Sequence, residues 1–201
     1  MRVDAVRNRK LIIEAATAEF AEHGTAASIT RIATRAGVGK GTVFRHYPTK
    51  EDLLLALFAE QLDGLADAGD ALPDTGDAEA ALLRFMTAAV EQQAGNRAFC
   101  EVAAARRSDL RVRAAVEHFT TTAEALTAAA RDTGAIRADV TGSDVVLLIS
   151  AAAQATAPLE DTLPGLWRRY LGLIFDGLRP DGAHPLAVPP PTSEHFTAAA
   201  K

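Results

Sequence analysis

The chain is poor in several residue types at once. Its 201 residues include one cysteine, Cys100, one tryptophan, Trp167, and two tyrosines, Tyr47 and Tyr170. A lone cysteine excludes an internal disulfide and fits a reducing compartment, so a cytoplasmic location is expected. A chain of this length buries about 70% of its unfolded surface and folds without disulfides or metal, so no structural metal or cofactor is expected. Long apolar runs are missing too. The longest, Val145 to Ala153 interrupted by Ser150, is about half of what a membrane span requires, so no membrane partner is expected. The opening MRVDAVRNRK has no apolar stretch behind it, which leaves no visible signal peptide. Runs of β-branched residues are rare, and strands depend on them.

The chain is rich in alanine, with 43 residues. Alanine is the best helix former, so the expected class is all-α. Acidic residues outnumber basic ones, 26 to 21, for a formal charge of −5. Taken as an average, that charge argues against a protein that coats nucleic acid electrostatically.

Apolar periodicity divides the chain. Residues 1–8 are polar and read as a flexible arm. Ile12, Ala16 and Phe20 recur every four positions from about residue 9 to 23, and Gly24 is a natural stop. Ser28 offers an N-cap to a short helix striped by Ile32, Ala33 and Ala36. Gly37-Val38-Gly39 ends it, a third helix runs from Lys40 to His46, and Thr49 caps a fourth. Further helical patterns fall near 77–94, 97–106, 109–133, 142–157 and 162–178, about nine helices in all. The tail 179–201 is rich in proline and has no core-forming pattern.

Residues 28–50, SITRIATRAGVGKGTVFRHYPTK, carry the most information. A helix-turn-helix needs a small residue where its helices cross, and Ala33 is there. Four residues later the turn needs a left-handed backbone, which Gly37 supplies. Ile32, Val38 and Val43 can anchor the turn and second helix. Lys40, Thr42, Arg45 and His46 then project outward, as a helix entering a major groove requires. Charge agrees. Residues 1–50 hold nine basic and four acidic side chains, a net of +5, which leaves −10 for the remainder. Opposite signs in the two parts suggest that one binds a polyanion and the other does not.

Residues 9–55 resemble the N-terminal domain of the TetR family of bacterial transcriptional repressors. The resemblance rests on Phe20-Ala21-Glu22-His23-Gly24, on Ser28-Ile29-Thr30-Arg31-Ile32-Ala33, and on the run from Gly37 to Leu53 with its His46-Tyr47-Pro48-Thr49-Lys50 end. It implies base-edge or groove contacts by Lys40, Thr42 and Arg45. It implies phosphate contacts by Thr30, His46 and Lys50, and core roles for Val43 and Tyr47. Phe44 stands where family members often carry a tyrosine whose hydroxyl can reach a phosphate, and Arg31 where an acid would complete a capping box.

The same resemblance implies three parts: a helix-turn-helix domain at 9–50, a helical ligand-binding and dimerisation domain at 51–178, and the tail. The partners it implies are double-stranded DNA, a small effector and a second copy of the chain. Candidate pocket residues are Phe58, Leu62, Phe85, Met86, Phe99 and Phe119, a mostly apolar set suited to a mainly apolar effector. Candidate dimer residues are Val145, Ile149, Ala152, Trp167, Tyr170 and Ile174, although an Ala-rich face serves an intramolecular core equally well. No HExxH, phosphate-binding glycine loop or Gly-x-Ser-x-Gly elbow is present, so no catalytic residues are assigned. Three readings stay open: a ligand-responsive repressor, a constitutive DNA-binding dimer, and a helical enzyme with an incidental helix-turn-helix.

Overall fold

The computed structural model describes residues 2–72, 76–95, 109–181, 183–192 and 195. Among them are eight α-helices and no strand: α1 (Arg2–His23), α2 (Ile29–Arg35), α3 (Lys40–His46), α4 (Lys50–Asp70), α5 (Ala78–Gly95), α6 (Leu110–Asp132), α7 (Gly142–Thr156) and α8 (Trp167–Leu178). The helical pattern near 97–106 lies outside the described residues.

Two compact units emerge. The first holds residues up to Gln61 together with the start of α6 through Val112; the second runs from Leu62 to Gly95 and from Arg113 onward. The boundary expected at residue 50 therefore falls instead inside α4, and α4 and α6 each contribute residues to both units. In the first unit, Ile12, Ala16 and Phe20 of α1 pack with Ile32, Ala33, Val43, Tyr47, Leu53 and Leu57, all buried. Leu55 and Val112 form a small adjoining cluster with half-buried Phe58 against it. The second unit centres on α5, α7 and α8, which pack on one another. α7 with its 3-10 extension is apolar and long enough to match a membrane span by composition. Its buried residues Val145, Ile149, Ala152 and Ala153 belong to this helical core.

Two expectations need correction. Residues 2–8 are helical, because α1 begins at Arg2 rather than near residue 9. The last helix starts at Trp167, five residues later than its pattern suggests. Pro164 and Gly165 turn the chain there, with Gly165 at φ +76° and its N–H donated to the Glu160 carboxylate at 3.1 Å. The tail is partly anchored, since Arg137 donates to the His184 carbonyl at 2.7 Å.

Candidate DNA-binding face

The turn between α2 and α3 is held by its backbone. Gly37 sits at φ +67°. The Gly37 N–H donates to the Thr34 carbonyl at 3.2 Å and the Val38 N–H to the Ala33 carbonyl at 3.0 Å. This is the paired closure of a Schellman motif, which satisfies carbonyls that a helix end leaves orphaned. Val38 is partly buried against the first unit's core. At the other end of α2, the Ser28 hydroxyl accepts from the Arg31 N–H at 3.2 Å. The turn thus fixes the direction in which α3 leaves.

α3 is short and anchored from one side. Val43 and Tyr47 are fully buried, as their core roles require. Burial pushes the Tyr47 phenol above its ordinary pKa, against the pull of nearby Arg9. On the outward side Lys40 and Arg45 are exposed and Thr42 and His46 half-buried. Arg45 lies along its own helix, donating to the Gly41 carbonyl at 3.2 Å and the Thr42 hydroxyl at 3.4 Å. Phe44 is 40% exposed with the Lys40 ammonium 5.7 Å from its ring centroid. Thr30 is exposed at the start of α2. Lys50 opens α4, its ammonium 5.6 Å from the Phe20 ring. Thr49 and Asp52 cap that helix reciprocally: the Asp52 N–H donates to the Thr49 hydroxyl at 3.0 Å and the Thr49 N–H to the Asp52 carboxylate at 3.2 Å.

Behind this face lies an ion cluster that the motif reading missed. Glu19 is buried on α1, with Arg31 Nε at 2.7 Å and Arg35 at 3.6 Å. Arg35 also pairs with Glu22 at 2.5 Å, and Arg31 contacts the His23 ring. Arg31 therefore braces α2 against α1 in place of the missing capping acid. Glu19, Glu22 and His23 lie close enough to share a cation, but the Arg31 and Arg35 guanidinium groups already pair with the two carboxylates. The signal was present in the sequence: an acid on the stripe of Ala16 and Phe20, and two arginines one helical turn apart.

A second strut sits at the start of α6. Arg111 forks onto Asp109, with Nη2 at 2.9 Å and Nε at 3.2 Å, and lies 3.9 Å from Asp52. The Arg111 hydrogen bonds hold the Asp109 carboxyl down to about 2.

In the second unit, Leu62, Phe85, Met86 and Phe119 are buried, and the Phe85 and Phe119 rings stack at 5.0 Å. Phe58 belongs to the first unit, and Phe99 lies outside the described residues. His118 on α6 faces α4, with Asp63 at Nδ1 and Asp70 at Nε2, both at 3.3 Å, and Asp67 at 4.0 Å. Thr122 donates to the other Asp70 oxygen at 2.8 Å. These partners, Asp70 foremost, raise the His118 pKa above its ordinary value. Of the six dimer candidates, Val145, Ile149, Ala152 and Trp167 are buried within the chain, so their packing is already intramolecular. Tyr170 is exposed and Ile174 half-buried.

A turn closed on Gly37, with a short anchored helix presenting basic and hydroxyl side chains, defines a helix-turn-helix module of the kind that reads DNA. Two family models account for most of the chain: bacterial regulatory proteins of the tetR family over residues 12–57, and the C-terminal domain of SbtR-like transcriptional regulators over residues 77–180. The chain belongs to the TetR family of bacterial transcriptional regulators. It is 44% identical over 82 residues to the HTH-type transcriptional repressor LfrR of Mycolicibacterium smegmatis, a match over 40% of this chain and 42% of that protein. The match thus spans about two-fifths of that relative's length. A TetR transcription regulatory protein from Mycobacterium vanbaalenii is 30% identical, with 89% of this chain and 98% of that one covered and a TM-score of 0.66. FadR from Bacillus subtilis, solved in complex with stearoyl-CoA, shares the fold at 20% identity, with 85% and 100% covered and a TM-score of 0.61.

Proposed function

We propose that this protein is a ligand-responsive repressor. A dimer binds a near-palindromic operator and is released when a small molecule occupies the C-terminal domain. The observation that carries the reading is α3 itself: Val43 and Tyr47 anchor it while Lys40 and Arg45 are exposed and half-buried Thr42 lies on the same outward side, in a part of the chain with net charge +5. Lys40, Thr42 and Arg45 are the groove contacts, and Thr30, His46 and Lys50 the phosphate contacts. Repression is supported by the likeness to the transcriptional repressor LfrR. Response to a ligand is supported by the fold shared with FadR, which holds an acyl-CoA. A mainly apolar effector suits the apolar second unit.

Selection of binding sites from random duplexes with the purified protein tests the reading. A palindromic consensus is expected, and Thr42→Ala should weaken binding to it by about 1–3 kcal/mol. A Thr42→Ala variant that binds as tightly as wild type would remove α3 as the reader. A thermal-shift survey of small molecules, acyl-CoA thioesters included, tests the ligand. One present at 100 times its Kd should stabilise the protein by about 2.7 kcal/mol. Operator binding that no compound relieves would favour a constitutive DNA-binding dimer.

A further inference from the structure

The opening of α1 shares a surface with the recognition helix. α1 begins at Arg2, ten residues ahead of the segment matched by the family's DNA-binding model. Its Asp4 and Ala5 lie one turn ahead of Asn8 on the same side of the helix. Together with Thr42, Arg45 and His46 of α3 they line an open depression of about 410 Å³. The position of Asn8 is informative. On an α-helix it falls on the same stripe as Ile12 and Ala16, which are fully buried. The stripe that builds the core therefore turns polar just where it runs out beside α3. Asn8 is half-buried, and Asp4 and Ala5 are exposed.

We propose that these first two turns of α1 form a second DNA-contacting strip, in which Asn8 donates its side-chain amide to a backbone phosphate. The proposal rests on the reading of α3 as a major-groove helix. A helix with its side chains measures about 10–12 Å across, and the major groove is about 12 Å wide. One helix fills the groove, so whatever flanks α3 meets the phosphate rim rather than base edges. Asparagine is a regular phosphate donor, and such contacts set register without reading sequence. Asp4 shares the strip and carries the same negative charge as the phosphates, so the phosphates on that rim repel it. Asn8 and Asp4 therefore act with opposite signs on the same DNA.

The test uses the full-length protein on its selected operator, with Thr42→Ala as the reference. Asn8→Ala should weaken binding about fivefold, the equivalent of one net hydrogen bond, and by the same factor on operator variants. In phosphate-ethylation interference it should lose sensitivity at one phosphate per half-site. Asp4→Asn should tighten binding, with a gain that shrinks as salt rises. If Thr42→Ala weakens binding while Asn8→Ala and Asp4→Asn leave affinity and interference pattern unchanged, the strip is overturned and the recognition helix stands. If Asn8→Ala alters base preference instead, a phosphate contact is the wrong assignment. If the wild type selects no duplex, the DNA-binding reading fails and the strip falls with it.

Discussion

At the scale of single residues, Gly37 is the position on which the module turns. Its φ of +67° lies in the left-handed region, and a Cβ there would meet nothing within 4 Å. The cost of a side chain is therefore one of backbone alone, about 1–2 kcal/mol. Gly37→Ala should lower stability by that amount in urea titration. Operator affinity should drop as well, because α3 takes its direction from this turn. A variant with unchanged stability would show that the turn tolerates another conformation. Gly69 is the opposite case. Its Cβ would come within 2.6 Å of Thr122 and 2.8 Å of Phe85, so glycine is needed there for close approach.

At the scale of elements, ion pairs tie helices together where apolar stripes alone would let them slide. Arg31 holds the buried Glu19 of α1 from α2, and Arg35 stands by at 3.6 Å. Removing one partner of a buried charge leaves the other undercompensated, whereas truncating an exposed pair costs little. Arg31→Ala should therefore destabilise the protein by about 1–3 kcal/mol, the cost of leaving a buried polar group without its partner, while the base preference of the selected operator stays the same. A changed base preference with intact stability would make Arg31 a DNA contact instead. The His118 cluster gives a pH dependence with a definite sign. Its folded pKa is raised above the ordinary 6.5 by Asp70 and Asp63. The stabilisation is therefore complete below about 6.5 and is lost as pH rises through the higher folded value. Thermal melts across that window should show stability falling with pH, and His118→Gln should flatten the slope. An identical slope in the variant would assign the dependence to other groups.

What could be read in advance at this scale followed from periodicity and turn chemistry. The four-residue spacing of Ile12, Ala16 and Phe20, the Ser28 cap and Gly37 each act locally, and each has the role its position implied. The first turns of α1 gave no such signal, because Asp4, Arg7 and Asn8 bring no apolar stripe to extend the pattern. In the alanine-rich second unit every face looks apolar. Spacing could not tell Val145 and Trp167, which are buried within the chain, from residues left outside. An acid on the apolar stripe marks Glu19 as buried, but its pairing with Arg31, like that of His118 with Asp70, joins two helices, and local patterns do not specify such partners.

At the scale of the whole molecule, the charge of −5 hides a basic first 50 residues at +5 and a remainder at −10. DNA should repel the acidic part, which favours docking through the basic one. On the proposed reading, a near-palindromic operator calls for two recognition helices about one DNA turn apart, roughly 34 Å, and hence for a second copy of the chain. The side chains open to that copy are the ones the core leaves outside: Leu147 at 47% exposure, Tyr170 at 44% and Leu173 at 57%. If this face is the dimer interface, Leu173→Asp should sediment as a monomer with its helical content kept. It should bind a full operator no better than an isolated half-site, because the second recognition helix is no longer tethered. Trp167→Ala should behave differently, since Trp167 is 2% exposed within one chain and its truncation should destabilise the fold by about 3–5 kcal/mol. A Leu173→Asp protein that remains dimeric would move the interface to another face of the second unit.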